Sequence, residues 1–208
     1  MIDTREIVQY AATKYVRGNT LDIGGGTAKY RSIIEPHTTK YTVADLYKTP
    51  EVDVVEDARN MSFPSESFDT VLVFQLLEHV DDTQAVVKEI YRVLKGGGCA
   101  IVTVPFLYAQ HGNPQDFHRF TLEGLRYAFK NFIELEGGEQ GSTLSVFSNA
   151  LRCLYVPQDG LEIIKYGRIK MAFWRRVFAL LKSLDKRGWG YNKNFYANVY
   201  LIVEKPRK

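Results

Sequence analysis

A turn of three glycines follows an acidic residue and an apolar one in the stretch "LDIGGG", which runs from Leu21 to Gly26. Because glycine lacks a Cβ, such a turn lets the backbone approach a ligand closely, and Asp22 offers a carboxylate that accepts hydrogen bonds. A dinucleotide-binding turn counted from Gly24 would need glycine or alanine where Lys29 stands, and no GK[ST] of a phosphate loop follows. Both phosphate-binding interpretations are therefore weakened.

A second polar cluster, "HGNPQDFHRFT", begins at His111. Its groups suit general acid–base chemistry, because an imidazole with an ordinary pKa of about 6.5 exchanges a proton near neutral pH. We predict His118 as the first candidate base and His111 as the second, with Asp116 orienting a histidine or the substrate. The alternative is structural, with Asp116 and Arg119 pairing with each other and capping the helix that starts at Thr121.

The same stretch contains residues of metal-ligating types, namely His111, Asp116 and His118. Their spacing matches no specific metal motif. The two cysteines, Cys99 and Cys153, form no CxxC pair and no zinc set. The sequence therefore predicts no metal site.

Strand-like and helical runs alternate through the first two thirds of the chain, which predicts an α/β fold with a parallel sheet and helices on both faces. A leading helix comes first, and the runs "NTLDIG", "KYTVADL", "VDVVED", "FDTVLVFQ" and "CAIVTVPF" are predicted strands. The stretch "TAKYRSIIE" predicts a helix closed by Pro36, and another helix begins with Asp82 or Thr83 as its cap and ends at Gly96. A helical region follows from Ser142 to Leu184, interrupted near residues 157–160, and "NFYANVYLIVEKP" is the last strand.

The bulk properties of the chain are those of an ordinary globular protein. It has 208 residues, 45% of them hydrophobic, and a formal net charge of +3, which is too small by itself to predict binding to nucleic acid. No apolar run approaches the roughly 20 residues that span a bilayer, and the N-terminus has no signal-peptide pattern. We expect one soluble cytoplasmic domain.

Several stretches together resemble the class I S-adenosylmethionine-dependent methyltransferases, of a type 11-like kind. "LDIGGGTAKY" resembles the family's first motif, although Ala28 stands where the third alternate glycine is usual. Asp45 ends "TVADL", where the family has an acidic residue, and "EDARNMSFPSESFDTVLVFQLLEHV" followed by "YRVLKGGG" resembles the later motifs. The resemblance covers residues 18–106 well, and the last strand fits the family's closing hairpin.

The resemblance implies a doubly wound, Rossmann-like sheet of seven mostly parallel strands with a C-terminal helical cover. It implies one domain, with a leading helix at 1–17, a cofactor-binding core at 18–106, a substrate loop and cover at 107–192 and a final strand at 193–204. The implied cofactor is S-adenosyl-L-methionine. The residues implied to hold it are Asp22 at the ammonium group, Gly24, Gly25 and Gly26 in the turn, Asp45 with Leu46 at the ribose hydroxyls, Asp57 and Ala58 at the adenine, and Gln75 near the methionine moiety.

The implied reaction is methyl transfer to a hydroxyl or an amine of a small molecule. The stretch from His111 loosely resembles a phrase of methyltransferases in glycan and small-molecule biosynthesis, which implies a sugar-containing acceptor. Two alternatives remain open. One is a non-catalytic protein that binds S-adenosylmethionine or a partner, and the other is an RNA methyltransferase, although no recognisable RNA module is present.

A basic segment covers residues 165–187, with eight basic residues against one acid, Asp185. Phe173, Val177, Leu180 and Leu184 fall at helical spacing, which predicts a basic amphipathic helix. One interpretation is a cover helix with a solvated basic face. The other is contact with an anionic membrane surface or a lipid-linked substrate, which would place the protein at the periphery of a membrane.

Overall fold

A seven-stranded sheet lies at the centre of the computed structural model, which describes residues 4–111, 115–155, 167–187, 189 and 195–207. The strands are β1 (Asn19–Ile23), β2 (Lys40–Asp45), β3 (Val54–Val55), β4 (Phe68–Phe74), β5 (Leu94–Pro105), β6 (Ile133–Gln140) and β7 (Asn198–Glu204). The helices are α1 (Thr4–Lys14), α2 (Arg31–Ile34), α3 (Thr83–Val93), α4 (Leu122–Ala128), α5 (Thr143–Tyr155) and α6 (Gly167–Lys186).

The strand order is β3-β2-β1-β4-β5-β7-β6. The first five strands pair in parallel, whereas β7 runs antiparallel to both β5 and β6. The predicted mostly parallel, seven-stranded sheet is therefore confirmed, with an antiparallel region at one side. The order reverses between β1 and β4, and open α/β sheets bind ligands beside such a reversal, at the carboxyl ends of the strands.

The sheet is buried on both faces, as the apolar runs predict. On β5, Ala100 and Val102 join a core cluster that includes α3 and α4, while Cys99 and Ile101 join another that includes α1 and α2. Successive side chains of a strand point to opposite faces. Helices therefore cover both faces of the sheet.

Two predicted helices have different bounds in the structure. Gly26 and Ala28 have φ values of +45° and +47°, so the chain stays in a turn and α2 has only four residues. Pro36 lies within a 3₁₀ turn after α2. Helix α3 ends at Val93 because β5 starts at the next residue, so Gly96 does not end the helix but lies within a strand.

Helices α5 and α6 confirm the predicted helical character of the C-terminal third, and they contact each other. The described residues of these two helices belong to neither core cluster. Phe173 and Leu180, seven residues apart on one face of α6, are each 60% exposed. The interruption predicted at residues 157–160, and Lys165, lie outside the described residues.

Candidate functional site

A cavity of about 360 Å³ opens at the carboxyl ends of β1, β2 and β4, beside the reversal of strand order. Six residues that the sequence assigns to the cofactor line it, namely Gly24, Asp45, Leu46, Asp57, Ala58 and Gln75. The lining also includes residues that the sequence analysis did not single out, among them Tyr47, Arg59, Leu76, Asp81 and Phe117. Groups from loops far apart in sequence thus meet at one place.

The glycine turn needs its glycines for two different reasons. Gly24 has φ +71° and lies so close to Leu76 that a Cβ would come within 2.7 Å of Leu76 Cδ1. A Cβ on Gly25 would instead come within 2.6 Å of Val43 Cγ1, so Gly25 packs against β2. Gly24 is therefore the glycine that lines the cavity, while Gly25 and Gly26 are not among the lining residues.

Asp22 lies beneath the turn and not on the cavity wall. Its side chain is buried and accepts a hydrogen bond from the Tyr41 hydroxyl. Burial raises the pKa of Asp22 to about 6, although the Tyr41 hydrogen bond acts in the opposite direction. The contact braces β1 against β2, and the role implied for Asp22 at an ammonium group stays a prediction.

Asp45 stands at the end of β2 and is held by two backbone amides. Its Oδ2 accepts from the N–H of Gly26 at 3.0 Å, and its Oδ1 accepts from the N–H of Tyr47 at 3.0 Å. These bonds fix the carboxylate on the cavity wall. Each oxygen can accept a further hydrogen bond, which suits a pair of vicinal hydroxyls.

Asp57 is bridged by Arg59 to Asp81 at the cavity. Arg59 donates to Asp57 with Nη2–Oδ2 at 2.7 Å and Nε–Oδ1 at 3.0 Å, and to Asp81 Oδ1 from Nη1 at 2.8 Å. These hydrogen bonds hold the pKa of both carboxyls below its usual range. No local sequence signal links Asp81 to Arg59, because the two belong to loops after different strands.

Gln75 follows β4 with φ +53°, in the left-handed region that few residues other than glycine adopt. Its backbone N–H donates to the Thr103 carbonyl at 2.8 Å, and its Nε2 donates to Thr103 Oγ1 at 3.2 Å. Both bonds tie the end of β4 to β5. Gln75 is therefore a fixed part of the wall.

In the loop after β5, Asp116 is clamped by Arg119. The guanidinium donates to both carboxylate oxygens, with Nη2–Oδ2 at 2.6 Å, and lowers the pKa of Asp116 to about 2. Asp116 also accepts from the His111 N–H at 2.8 Å, while Thr121 caps α4 by accepting from Gly124 N–H at 3.0 Å. The structural pairing of Asp116 with Arg119 is present, and the cap is supplied by Thr121 alone.

The histidines of the site have distinct places. His79 lines the cavity, whereas His111 and His118 are not among its lining residues. His118 Nε2 lies 3.3 Å from the Asp81 carbonyl, and its ring contacts Phe117 and Phe120. The assignment of His118 or His111 as a base stays a prediction. Asn113 lies outside the described residues.

Comparison with protein families matches residues 21–102 to the family described as "Methyltransferase domain". The matched stretch contains the glycine turn, Asp45, Asp57 and Gln75, and the strand order places Gly24 and these three residues at one cavity. Residues 21–102 have the sequence pattern of a methyltransferase domain. This match confirms the family resemblance that the sequence motifs indicated, but it does not confirm the glycan subgroup.

Relatives with known names are similar to this methyltransferase domain over part of their length. A rice protein named 2-methyl-6-phytyl-1,4-hydroquinone methyltransferase 1 is 30% identical over 118 residues, which are 50% of this chain and 36% of the relative. The chain spans between 24% and 48% of the length of the curated relatives that it matches.

Solved structures share the fold over nearly the whole chain. The [4+2]-cyclase SpnF superposes with a TM-score of 0.63 at 20% identity, over 98% of this chain and 81% of the cyclase. A Haemonchus contortus phosphoethanolamine N-methyltransferase 2, in complex with S-adenosyl-L-methionine, superposes with a TM-score of 0.59 at 19% identity, over 96% of this chain and 52% of that one. These likenesses show the methyltransferase fold.

The residues at the cavity suit S-adenosylmethionine in their chemistry. Gly24 lets the turn pack closely on Leu76, which also lines the cavity, and Asp45 presents a fixed carboxylate at the end of β2. The cofactor carries no phosphate, and the turn contains no basic residue before Lys29. Among the described helices, none is both long and apolar enough to cross a membrane.

Proposed function

We propose that the chain transfers a methyl group from S-adenosylmethionine to a small molecule. The observation that carries this proposal is the convergence of Gly24, Asp45, Asp57 and Gln75 from four separate loops on one cavity of a methyltransferase domain. The cofactor, when bound, supplies an electrophilic methyl on a sulfonium. The acceptor's oxygen or nitrogen forms a bond to that methyl, the carbon–sulfur bond breaks, and the acceptor gives up a proton.

The chain's own residues bind and align the reactants. Asp45 accepts from the ribose hydroxyls because its two oxygens are held apart by the amides of Gly26 and Tyr47. Asp57, held by Arg59, would accept from the adenine amino group, because each of its oxygens can accept more than one hydrogen bond. Such alignment accounts for most of the catalysis in a direct displacement.

The acceptor side of the proposal comes from the loop after β5. A hydroxyl acceptor needs a base, for which His118 is the first candidate and His111 the second. Asp116 Oδ2 lies 3.5 Å from His111 Nδ1, where it can orient that ring. A sugar-containing acceptor is supported by the sequence phrase of this loop. The rice relative's name places a hydroquinone, also a small molecule, as the acceptor of that protein.

The basic segment supports an anionic partner, either a lipid-linked acceptor or a membrane surface. Arg175 and Arg176 are exposed on α6 beside the exposed Phe173 and Leu180. Basic and apolar groups together suit an anionic headgroup with an apolar tail. Nucleic acid is the weaker proposal, since the net charge is only +3.

A second candidate is a cofactor-binding protein that does not transfer methyl groups. The observation that favours it is the fold shared with a protein titled a [4+2]-cyclase, because a fold alone does not determine the reaction.

The test is release of S-adenosylhomocysteine by the purified chain with nucleotide sugars, lipid-linked sugars and small amines as acceptors. We expect release that depends on the acceptor, and the arm that responds identifies the acceptor class. If every arm stays at the rate without acceptor while the chain binds S-adenosylmethionine, the non-catalytic candidate replaces the proposal.

A further inference from the structure

Three side chains beside the cavity bring possible metal ligands together. Glu78 and His79 belong to the 3₁₀ turn Leu77–His79 after β4, and His111 lies in the loop after β5. One ligand atom from each lies within 4.8 Å of the others. The set differs from the one considered from sequence, because Asp116 is clamped by Arg119 and His118 lies against the Asp81 carbonyl.

Glu78 is the side chain that requires an explanation. It is fully buried, and neither of its carboxylate oxygens has a hydrogen-bond partner among the described residues. His79 Nε2 lies 3.8 Å from Glu78 Oε1, beyond hydrogen-bond distance. A buried carboxyl without a hydrogen-bond partner is costly.

The two histidines are oriented by acceptors at their Nδ1 atoms. His79 Nδ1 lies 2.6 Å from the Gln115 carbonyl, and His111 Nδ1 lies 3.3 Å from the Ala109 carbonyl. A carbonyl oxygen only accepts, so we assign the proton of each ring to Nδ1. Each Nε2 then keeps a lone pair, and this arrangement of a backbone or carboxylate acceptor behind the ring is usual for metal-binding histidines.

We propose that Glu78, His79 and His111 bind a divalent transition-metal ion through one carboxylate oxygen and the two Nε2 atoms. Two imidazoles and one carboxylate suit zinc, ferrous or cobaltous ions better than magnesium or calcium, which prefer oxygen ligands. Ligand atoms around such an ion lie about 3.4 Å apart for bonds of about 2.1 Å, so the three side chains close inward by small rotations. The ion supplies a positive charge beside the buried carboxylate of Glu78, whose oxygens have no hydrogen-bond partner among the described residues.

Three further residues support the ligands without binding the ion. Asp116 holds the His111 backbone N–H at 2.8 Å and lies 3.5 Å from its Nδ1, while Arg119 fixes Asp116. Phe117 N–H donates to the Glu78 carbonyl at 2.7 Å, which joins the loop after β5 to the turn after β4. Glu78 and His111 do not line the cofactor cavity, although His79 does, and binding of an ion here can be measured without methyl transfer.

The test is a titration of chelator-treated protein with Co²⁺, followed by its visible absorption bands, and with Zn²⁺, followed by calorimetry. We expect one ion per chain for the wild type, and at least tenfold weaker binding for Glu78→Gln and for His111→Ala. His37→Ala serves as the matched control because His37 is exposed on the 3₁₀ turn after α2. His118→Ala serves as a control inside the same loop, and both controls should bind as the wild type does.

Wild-type protein without stoichiometric binding would overturn the proposal. So would equal affinities of the two ligand variants and the two controls. Circular dichroism of each variant reports folding, and if Glu78→Gln does not fold, His111→Ala in its surface loop decides the matter with the same readout.

Discussion

At the scale of single residues, two aspartates with similar places in the sequence have different surroundings. Asp45 is the last residue of β2 and reaches the cavity, whereas Asp22 precedes the last residue of β1 and packs against Tyr41. Asp22 pairs with Val43, and Asp45 lies two residues further along β2, so the two carboxylates share one face of the sheet. Only Asp45 stands at the end of its strand, and Asp22 is buried behind it.

The buried Asp22 should make stability fall as the pH rises. Its pKa of about 6 in the folded state exceeds the ordinary value of 3.8, so between these values the folded chain holds a proton that the unfolded chain has lost. A pKa difference of this size corresponds to about 3 kcal/mol. The free energy of unfolding of Asp22→Asn, relative to wild type, should therefore increase by about this amount between about pH 4 and pH 7.

Urea unfolding at several pH values measures this difference. Asp69→Asn is the contrasting variant, because burial of Asp69 is outweighed by its bonds to Lys95 and the Asn19 amide, and its pKa is lowered. Wild type should lose stability relative to that variant as the pH falls. A pH-independent difference for Asp22→Asn would contradict the burial of an ionisable carboxyl there.

His118 is the residue on which the acid–base hypothesis depends. If it takes the acceptor's proton, His118→Ala should lower kcat for a hydroxyl acceptor by about 10²-fold or more, and should change the rate with an uncharged amine far less. The exposed His37→Ala is the matched control. Unchanged turnover of a hydroxyl acceptor by His118→Ala would leave His118 as a packing residue between Phe117 and Phe120.

At the scale of elements, local sequence signals predicted the starts of helices better than their ends. The caps of α3 and α4 were readable, since Asp82 accepts from Ala85 N–H and Thr121 from Gly124 N–H, each at 3.0 Å. The end of α3 could not be predicted in the same way, because pairing of Leu94 with Phe68 extends β5 through Lys95–Gly98. Tertiary pairing outweighed the glycine signal at the helix end.

The cap of α3 gives a prediction at this scale. Asp82→Ala removes the acceptor for the Ala85 N–H and should lower the free energy of unfolding by about 1 kcal/mol. Asp82→Asn keeps an acceptor of similar reach and should cost much less. Chemical denaturation of the three proteins measures both values, and equal losses in the two variants would show that charge and not capping is responsible.

At the scale of the whole molecule, six of the residues predicted to bind the cofactor meet at one cavity because they follow strands, and parallel strands end at one edge of the sheet. The bridge from Asp57 through Arg59 to Asp81 was not predictable from the sequence, because neither periodicity nor a motif relates the loops that it joins. The cluster of Glu78, His79 and His111 was missed for the same reason. Contacts between side chains far apart in the sequence can be identified only in the folded structure. The positions of strand ends follow from the order of the elements.

Calorimetry with S-adenosylmethionine and S-adenosylhomocysteine tests the central claim most directly, with wild type, Asp45→Ala and the exposed Glu123→Ala as a control. We expect a single site in wild type and Glu123→Ala. Loss of even one hydrogen bond to a carboxylate, about 1.5–3 kcal/mol, should weaken binding to Asp45→Ala by about 10- to 100-fold or more. Absence of binding of either compound to wild type, or equal affinity of Asp45→Ala, would contradict the account.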